Sequence, residues 1–561
     1  MNRPWLRHYD PGVPPEIEVP EEPVPWLLWQ AAARAGDRPA LNFYGRITTY
    51  AALRDQVARL AQGLTELGLA PGERLALLLP NCPQLVTAYF AALSLGAVVV
   101  LINPLNSQSE VRHQVEDSGA RMLVALDHLL PKAAGLLAEG KLSRIIVTSL
   151  TDALPWPLNW LYPLKAWRQG LPRGCPKAAG YARYARLLAS PPYPEPPRPG
   201  PADVAVLQYT GGTTGTPKAA ILTHANLMAN VAQINAWLPQ VKVGEERLVG
   251  LLPMFHAFGL TVCLNWPVSV AAQVLLLPRF EIREFLRLLK KGRPTLLPGV
   301  PTLFVALIHH PEIRTVDFSS LWACVSGSAP LPAEVRQSFE RLTGCTILEG
   351  YGLTEASPVT HFMPFGGPRP VGSIGVPFPG TDARIMDAVT GERDLPPGEV
   401  GELIIRGPQV MQGYWRQPAE TALVLRDGWL YTGDLARMDE DGYFYIIDRK
   451  KDIIISAGYK IFPREVEEVL FQHPGIKEAV VVGVPDPYRG EMVQAVIVPQ
   501  PGAQLTPEEV QSFCKERLAA YKVPRQVEFR TELPKSAVGK VLRRRLREEG
   551  HPPPAAESGP A

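Results

Sequence analysis

Short apolar runs alternate with stretches of helical periodicity over about the first 370 residues. RLALLLP (74–80), AVVVLIN (97–103), RMLVAL (121–126) and RIIVTSL (144–150) are strand-like, and several carry β-branched side chains. Such runs suit buried parallel strands, and their alternation with helices predicts an α/β architecture. Residues 85–102, LVTAYFAALSLGAVVVLI, run eighteen positions without a charge, the lower limit for a membrane span. Gly96 stands where a helix C-cap belongs, and a β-branched run follows it. The pattern therefore predicts a buried helix and then a buried strand.

From about residue 370 the texture changes to short strands and turns, as in GELIIRG (401–407) and GYFYIID (442–448). After the charged run DRKKD (448–452) comes a compact stretch with EVEEVLFQHPG as a helix, KEAVVVGVP and AVIVP as strands, and a further helix. These features predict an N-terminal domain over 1–447, a link at 448–452 and a C-terminal domain over 453–550, of about a hundred residues. The tail 551–561, HPPPAAESGPA, has the composition of a disordered segment.

The segment LPWPLNWLYPLKAWRQGLPRG (154–174) stands apart. Trp156, Trp160 and Trp167 fall within twelve residues, with Tyr162, Lys165, Arg168 and Arg173 beside them. Aromatics with cations suit a membrane–water interface. A surface insertion whose aromatics pack on their own domain fits as well, and the prolines argue against a regular amphipathic helix.

Composition narrows the classes. A chain of 561 residues exceeds one hydrophobic core. A formal charge of +2 argues against nucleic acid as a partner. Six scattered cysteines without a CxxC pair give neither a disulfide scaffold nor a zinc site, and point to a reducing cytoplasm. The opening MNRPWLRHYDPG has charges and proline where a secretory signal needs its apolar run.

YTGGTTGTPK (209–218) holds three glycines, four threonines and a lysine, the chemistry of a loop that wraps phosphate. It is not a Walker A loop, because Gly215 is followed by Thr216 and Pro217, and Lys218 by Ala219. Four further stretches accompany it: LEGYGLTEASP (348–358), WLYTGDLA (429–436), DRKKDIIISAGYKIFPREVE (448–467) and PKSAVGKVLRRRLR (534–547). In this order the five blocks resemble the adenylate-forming superfamily of acyl-CoA synthetases, adenylation domains and luciferases. The double glycine at 211–212, LPMFHAFGL (252–260), GPQVMQGYW (407–415), the opening WLRHYDPGVPPEI and the aromatic insertion are similar to the bacterial long-chain fatty acid–CoA ligases.

The resemblance implies a large N-terminal domain of several α/β subdomains, with parallel and mixed sheets and a small β-barrel-like part. A small, mobile α+β C-terminal domain follows. It implies a two-step reaction: a long-chain fatty acid and ATP with Mg²⁺ give acyl-AMP and pyrophosphate, and the thiol of CoA then displaces AMP. Tyr209, Thr210, Gly211, Gly212, Thr213, Thr214, Gly215, Thr216 and Lys218 would form the loop at the β- and γ-phosphates. Gly350, Tyr351 and Gly352 precede Thr354; Tyr351 would lie against adenine, Thr354 near the α-phosphate and Glu355 on Mg²⁺. Gly327 would line the adenine slot, and Asp434 with Arg449 would meet the ribose. His256 would lie near the substrate carboxylate, with Phe255, Phe258, Leu260 and Val262 as an apolar wall. Lys540 would bridge carboxylate and α-phosphate in the first step, and Gly458 and Lys460 would serve the second. Lys451 would be the hinge between two catalytic poses. The resemblance also suggests a homodimer, and the aromatic segment 154–174 leaves peripheral contact with the inner face of the membrane open as one reading. A fatty acyl-AMP ligase, a medium-chain or aryl acid–CoA ligase, a luciferase-like oxidase and an inactive lipid- or nucleotide-binding protein are the competing readings.

Overall fold

The structure is a computed structural model that describes residues 3–172, 174–194, 199–210, 217–536 and 539–550. The core of the glycine-rich loop (211–216) and the tail (551–561) lie outside the described residues. The chain divides into two compact units. One comprises Met1–Arg369, Gly375–Asp382 and Ile405–Leu430; the other comprises Pro370–Ile374, Ala383–Ile404 and Tyr431–Ala561. Residues 448–452 fall inside the second unit.

In the first unit, strands Arg74–Leu78, Val98–Leu101, Met122–Leu126, Arg144–Thr148 and Val204–Thr210 pair in parallel in one sheet. The last of these turns back through an antiparallel partner, Lys218–Thr223. The helix Pro83–Ser94 is buried from Gln84 onward, Gly96 turns the chain at φ +70°, and the strand Val98–Leu101 follows. The uncharged stretch is thus the expected helix and strand. Among the described residues no helix is long and apolar enough to cross a membrane. A second sheet sets strands Ala323–Ser326 and Ile347–Gly352 side by side in parallel. The YGLTE motif begins at the end of the strand Ile347–Gly352.

The segment 154–174 departs from expectation. Leu158–Arg168 is a helix despite Pro163 within it. A proline removes one backbone donor and crowds the preceding turn. Here Pro163 lines a cavity with Tyr162 and Ala166.

In the second unit, strands Ile454–Ser456, Tyr459–Ile461, Ile476–Asp486, Gly490–Pro499 and Gln526–Phe529 form one sheet. KEAVVVGVP alternates between two apolar layers, as the period of a strand requires. Val481 joins Val466, Leu470 and Val510 of the helices Pro463–Leu470 and Pro507–Lys515. Val480 and Val482 face the other way, towards Leu546 of the helix Arg543–Gly550. That helix is fastened by charge as well. The Arg543 guanidinium donates to both oxygens of Glu467, at 2.6 and 2.7 Å, and lies 3.5 Å from Asp448. Asp448 also accepts the N–H groups of Arg449 and Arg464, and Glu467 accepts that of Val481. Arg547 donates to Asp452 at 3.1 Å.

Removing one member of such a buried cluster strands the others. Arg543→Leu is expected to cost about 3–5 kcal/mol, read as a lower denaturant midpoint at unchanged slope. Adding Glu467→Leu should recover part of that loss, because one uncompensated carboxylate leaves with its partner.

Candidate functional site

The first unit brings Lys218 and Glu355 together around one tyrosine. Thr210 and Lys218 are register partners on the antiparallel strands that bracket the glycine-rich loop, so the residues flanking 211–216 are fixed by sheet pairing. Lys218 Nζ lies 5.5 Å from the centre of the Tyr414 ring. The Tyr414 hydroxyl donates to Glu355 Oε1 at 2.8 Å. Burial, reinforced by the Glu355 carboxylate, raises the phenol's pKa and keeps it a donor. Lys218 is itself ion-paired with Glu420, in the helix Pro418–Val424.

GPQVMQGYW is what places Tyr414. The Gly413 carbonyl accepts the Ile221 N–H and Trp415 donates to the Ala219 carbonyl. Asn226 donates to the carbonyls of Pro408 and Val410. The Met411 N–H reaches the Glu355 carbonyl at 2.8 Å. Tyr209 does not turn outward; its hydroxyl donates to Asp117 at 2.6 Å and its side chain is buried.

The glycines at the strand ends are crowded by the chain itself. A Cβ on Gly327 would meet the Phe258 ring at 3.0 Å and the Gly350 carbonyl at 3.4 Å. One on Gly350 would meet the Phe362 ring at 2.7 Å, and one on Gly352 the Pro358 carbonyl oxygen at 2.1 Å. Tyr351 stands edge-on to His361 at 5.8 Å. Burial holds His361 neutral, down to about 3. Thr354 is buried at the start of the turn Thr354–Ala356. His256 caps the helix Ala257–Leu260 by accepting the Phe258 N–H at 3.3 Å, and Phe258, Leu260 and Val262 are buried. A π-helical turn over Thr261–Asn265 follows, a widening that recurs where helices line sites.

In the second unit Asp434 and Arg449 are cross-strand partners, and the Arg449 guanidinium lies 3.3 Å from the buried Asp434 carboxylate. Lys540 joins them electrostatically. Burial pushes its ammonium down to about 7, with Arg449 and Lys451 acting the same way and Asp434 and Asp452 opposing. Its turn is closed by Lys540 donating to the Ser536 hydroxyl and Ser536 donating to the Lys540 carbonyl, with Gly539 at φ +73°. Residues 537 and 538 lie outside the described residues. Lys451 is exposed beside this group. Gly458 and Lys460 belong to a separate hairpin, in which Ala457 (φ +50°) and Gly458 (φ +83°) form the two-residue turn between Ser456 and Tyr459. Two positive φ values are those of a type I′ turn. A Cβ on Gly458 meets nothing within 4 Å, so its conformation and not crowding calls for glycine. Lys460 is exposed.

Among the described residues no group of three or more His, Cys, Asp or Glu gathers as a metal site. A single carboxylate such as Glu355 fits Mg²⁺ that arrives with phosphate oxygens and waters as its other ligands. Tyr414, Glu420 and His361 are the partners that motif reading did not single out. Tyr414 stood in GPQVMQGYW, and its neighbours gave no sign of Glu355.

A family described as AMP-binding enzyme matches residues 28–415, and its C-terminal domain matches 465–540. The chain is 47% identical over 554 residues to a long-chain-fatty-acid–CoA ligase of Bacillus subtilis (strain 168), covering 98% of each. It is 38% identical over 512 residues to a feruloyl-CoA synthase of an Amycolatopsis species, covering 91% of this chain and 95% of that one. Among solved structures it is similar to ATP-bound MatB from Rhodopseudomonas palustris, with a TM-score of 0.83, 29% identity, and coverage of 94% of this chain and 99% of that one. With both regions matched and most of the chain covered, the protein belongs to the AMP-binding, adenylate-forming enzymes.

Proposed function

We propose that the protein is an ATP-dependent long-chain fatty acid–CoA ligase. Carboxylate and ATP give acyl-AMP and pyrophosphate, and the CoA thiol then displaces AMP to leave the acyl thioester. The observation that carries the phosphate chemistry is the convergence of Lys218 and Glu355 on Tyr414. The long-chain substrate class is supported by the similarity to the Bacillus subtilis ligase.

In this reading the loop 209–218 holds the pyrophosphate that leaves. The hydroxyls of Thr210, Thr213, Thr214 and Thr216, the backbone at Gly211, Gly212 and Gly215, and Lys218 receive it. Mg²⁺ on Glu355 would offset the charge of the phosphates. Tyr414 orients Glu355 by holding one of its oxygens. Tyr351 and the strand ends at Gly327, Gly350 and Gly352 receive adenine, Thr354 attends the α-phosphate, and Asp434 and Arg449 the ribose. Lys540 bridges the carboxylate and the α-phosphate, stabilising charge that builds in transfer. His256 and its apolar neighbours flank the carboxylate end of the acyl chain, whose burial at ~0.8 kcal/mol per CH₂ supplies affinity. Residues 448–452, with Lys451, form the hinge between an N-terminal domain over 1–447 and a C-terminal domain over 453–550, and swing Gly458 and Lys460 in for thioester formation. The reading places the protein in the cytoplasm, as a homodimer and peripheral to the membrane. An aryl acid is the second substrate reading, favoured by the similarity to a feruloyl-CoA synthase.

Incubation with ATP, Mg²⁺, CoA and a ladder of acids from C6 to C18, with ferulate alongside, should give acyl-CoA and AMP chiefly from C12–C18. Product from ferulate alone would replace the fatty acid reading with the aryl one. Lys540→Ala is expected to lose ATP–pyrophosphate exchange by at least about a hundredfold, while still converting supplied acyl-AMP to thioester. Exchange at the normal rate would remove Lys540 from the first step. Because nucleotide must draw Lys218 away from Glu420, Glu420→Gln should tighten ATP binding by about two- to fivefold, the range for a partly exposed pair; calorimetric titration reads it.

A further inference from the structure

The helix Leu158–Arg168 turns its apolar side outward. Trp160, Leu164 and Trp167 follow i, i+4, i+7 spacing and are 78%, 50% and 63% exposed. Leu161 flanks them at 47%, and Trp156 precedes the helix at 83%. The side that packs is the other one: Ala166 is buried, and Tyr162 and Pro163 line a cavity of about 220 Å³ against Asp127 and His128. An ordinary surface helix has the reverse arrangement. Three indoles and two leucines within twelve residues are not scattered exposure, and a patch of this kind marks a surface that something covers.

Charge decides what covers it. Between Asp152 and Glu195 the sequence has no acidic residue and six cations: Lys165, Arg168, Arg173, Lys177, Arg183 and Arg186. The whole chain carries a formal charge of only +2, so this excess is local. Arg168, Lys177, Arg183 and Arg186 are exposed. A second copy of the chain would set these cations against their own kind. Nucleic acid would meet the cations but leave a leucine-bearing stripe unused. An anionic bilayer answers both features, since indoles favour headgroup depth and cations favour lipid phosphates. Eleven residues at about 1.5 Å each reach roughly half of the ~30 Å hydrocarbon core. The helix is therefore suited to lie in the interface and not to cross it.

We propose that Leu158–Arg168 is an interfacial docking helix that seats the protein on an anionic lipid surface, with Trp160, Leu164 and Trp167 below the headgroups and Arg168 and Lys177 at the phosphates. The inference rests on the proposed function, whose peripheral placement it deepens by naming the element that docks: a long-chain acid resides in membranes, and docking shortens its path to the enzyme.

The test sediments the full-length protein with vesicles of phosphatidylcholine alone or with about 30% phosphatidylglycerol. Binding to the anionic vesicles should exceed binding to the neutral ones and fall steadily with added salt. Trp160→Glu with Leu164→Glu should cut partitioning by about tenfold or more. Arg168→Gln with Lys177→Gln should cut it by about twenty-five-fold at low salt, about fivefold per cation. Circular dichroism and vesicle-free acyl-CoA synthesis from dodecanoate should match the parent in both variants, which separates lost docking from lost folding. Equal binding to both vesicle types, unchanged binding of the Trp160/Leu164 variant, or no binding at all overturns the proposal. So does an oligomer that this variant dissociates while vesicle binding persists, since a second copy would then be the cover. Vesicle binding without any acyl-CoA synthesis would leave docking standing and remove the ligase reading.

Discussion

Arg543 between Glu467 and Asp448 is the contact on which the second unit's chemistry turns. Asp448 is the neighbour of Arg449, whose strand carries it opposite Asp434. Arg543 opens the helix that follows the Lys540 turn. One guanidinium therefore ties the helix after the Lys540 turn to Asp448, the neighbour of Arg449. Two apolar layers on the sheet could hold the same helix more cheaply, and buried ion pairs rarely add net stability over hydrophobic replacements. What the ion cluster adds is register. Leu546 alone could slide along a valine surface, whereas a guanidinium held by both oxygens of one carboxylate cannot.

That register leaves Lys540 in an unusual electrostatic state. Its folded value of about 7 lies below the ordinary 10.5 because burial and two neighbouring cations disfavour the charge. Between those two values the unfolded chain binds the extra proton. The contribution of this lysine to stability therefore rises as pH increases through that window and is least below it. In the proposed reaction a substrate carboxylate and a phosphate would raise that folded value again by supplying anions beside the amine, which suits a group proposed to offset charge as it develops.

Much of this was legible in the sequence because it is local. The uncharged stretch 85–102 resolved into helix and strand on the strength of Gly96 and the β-branched run after it, and KEAVVVGVP became a strand buried on both faces. The alternation of strands and helices gave the parallel sheet of the first unit. What escaped was pairing at a distance. Lys218 and Glu420 are 202 residues apart, and Asp448 and Arg543 are 95; no periodicity in one chain links such positions. Glycines were legible as glycines, but the cause differed. At Gly327 a Cβ would crowd the Phe258 ring of the same chain at 3.0 Å. The helix at Leu158–Arg168 escaped for another reason, since Pro163 within it speaks against a helix locally.

The central claim is that burial and neighbouring cations hold the Lys540 ammonium down near 7, and that the anions of the proposed reaction would recharge it. Calorimetric binding of an acyl-sulfamoyl-adenosine at pH 8, in buffers of different ionisation enthalpy, counts the protons taken up. The account predicts uptake of about one proton per site in the parent protein and almost none in Lys540→Met. Binding without proton uptake in the parent, or equal uptake in the two proteins, would contradict it.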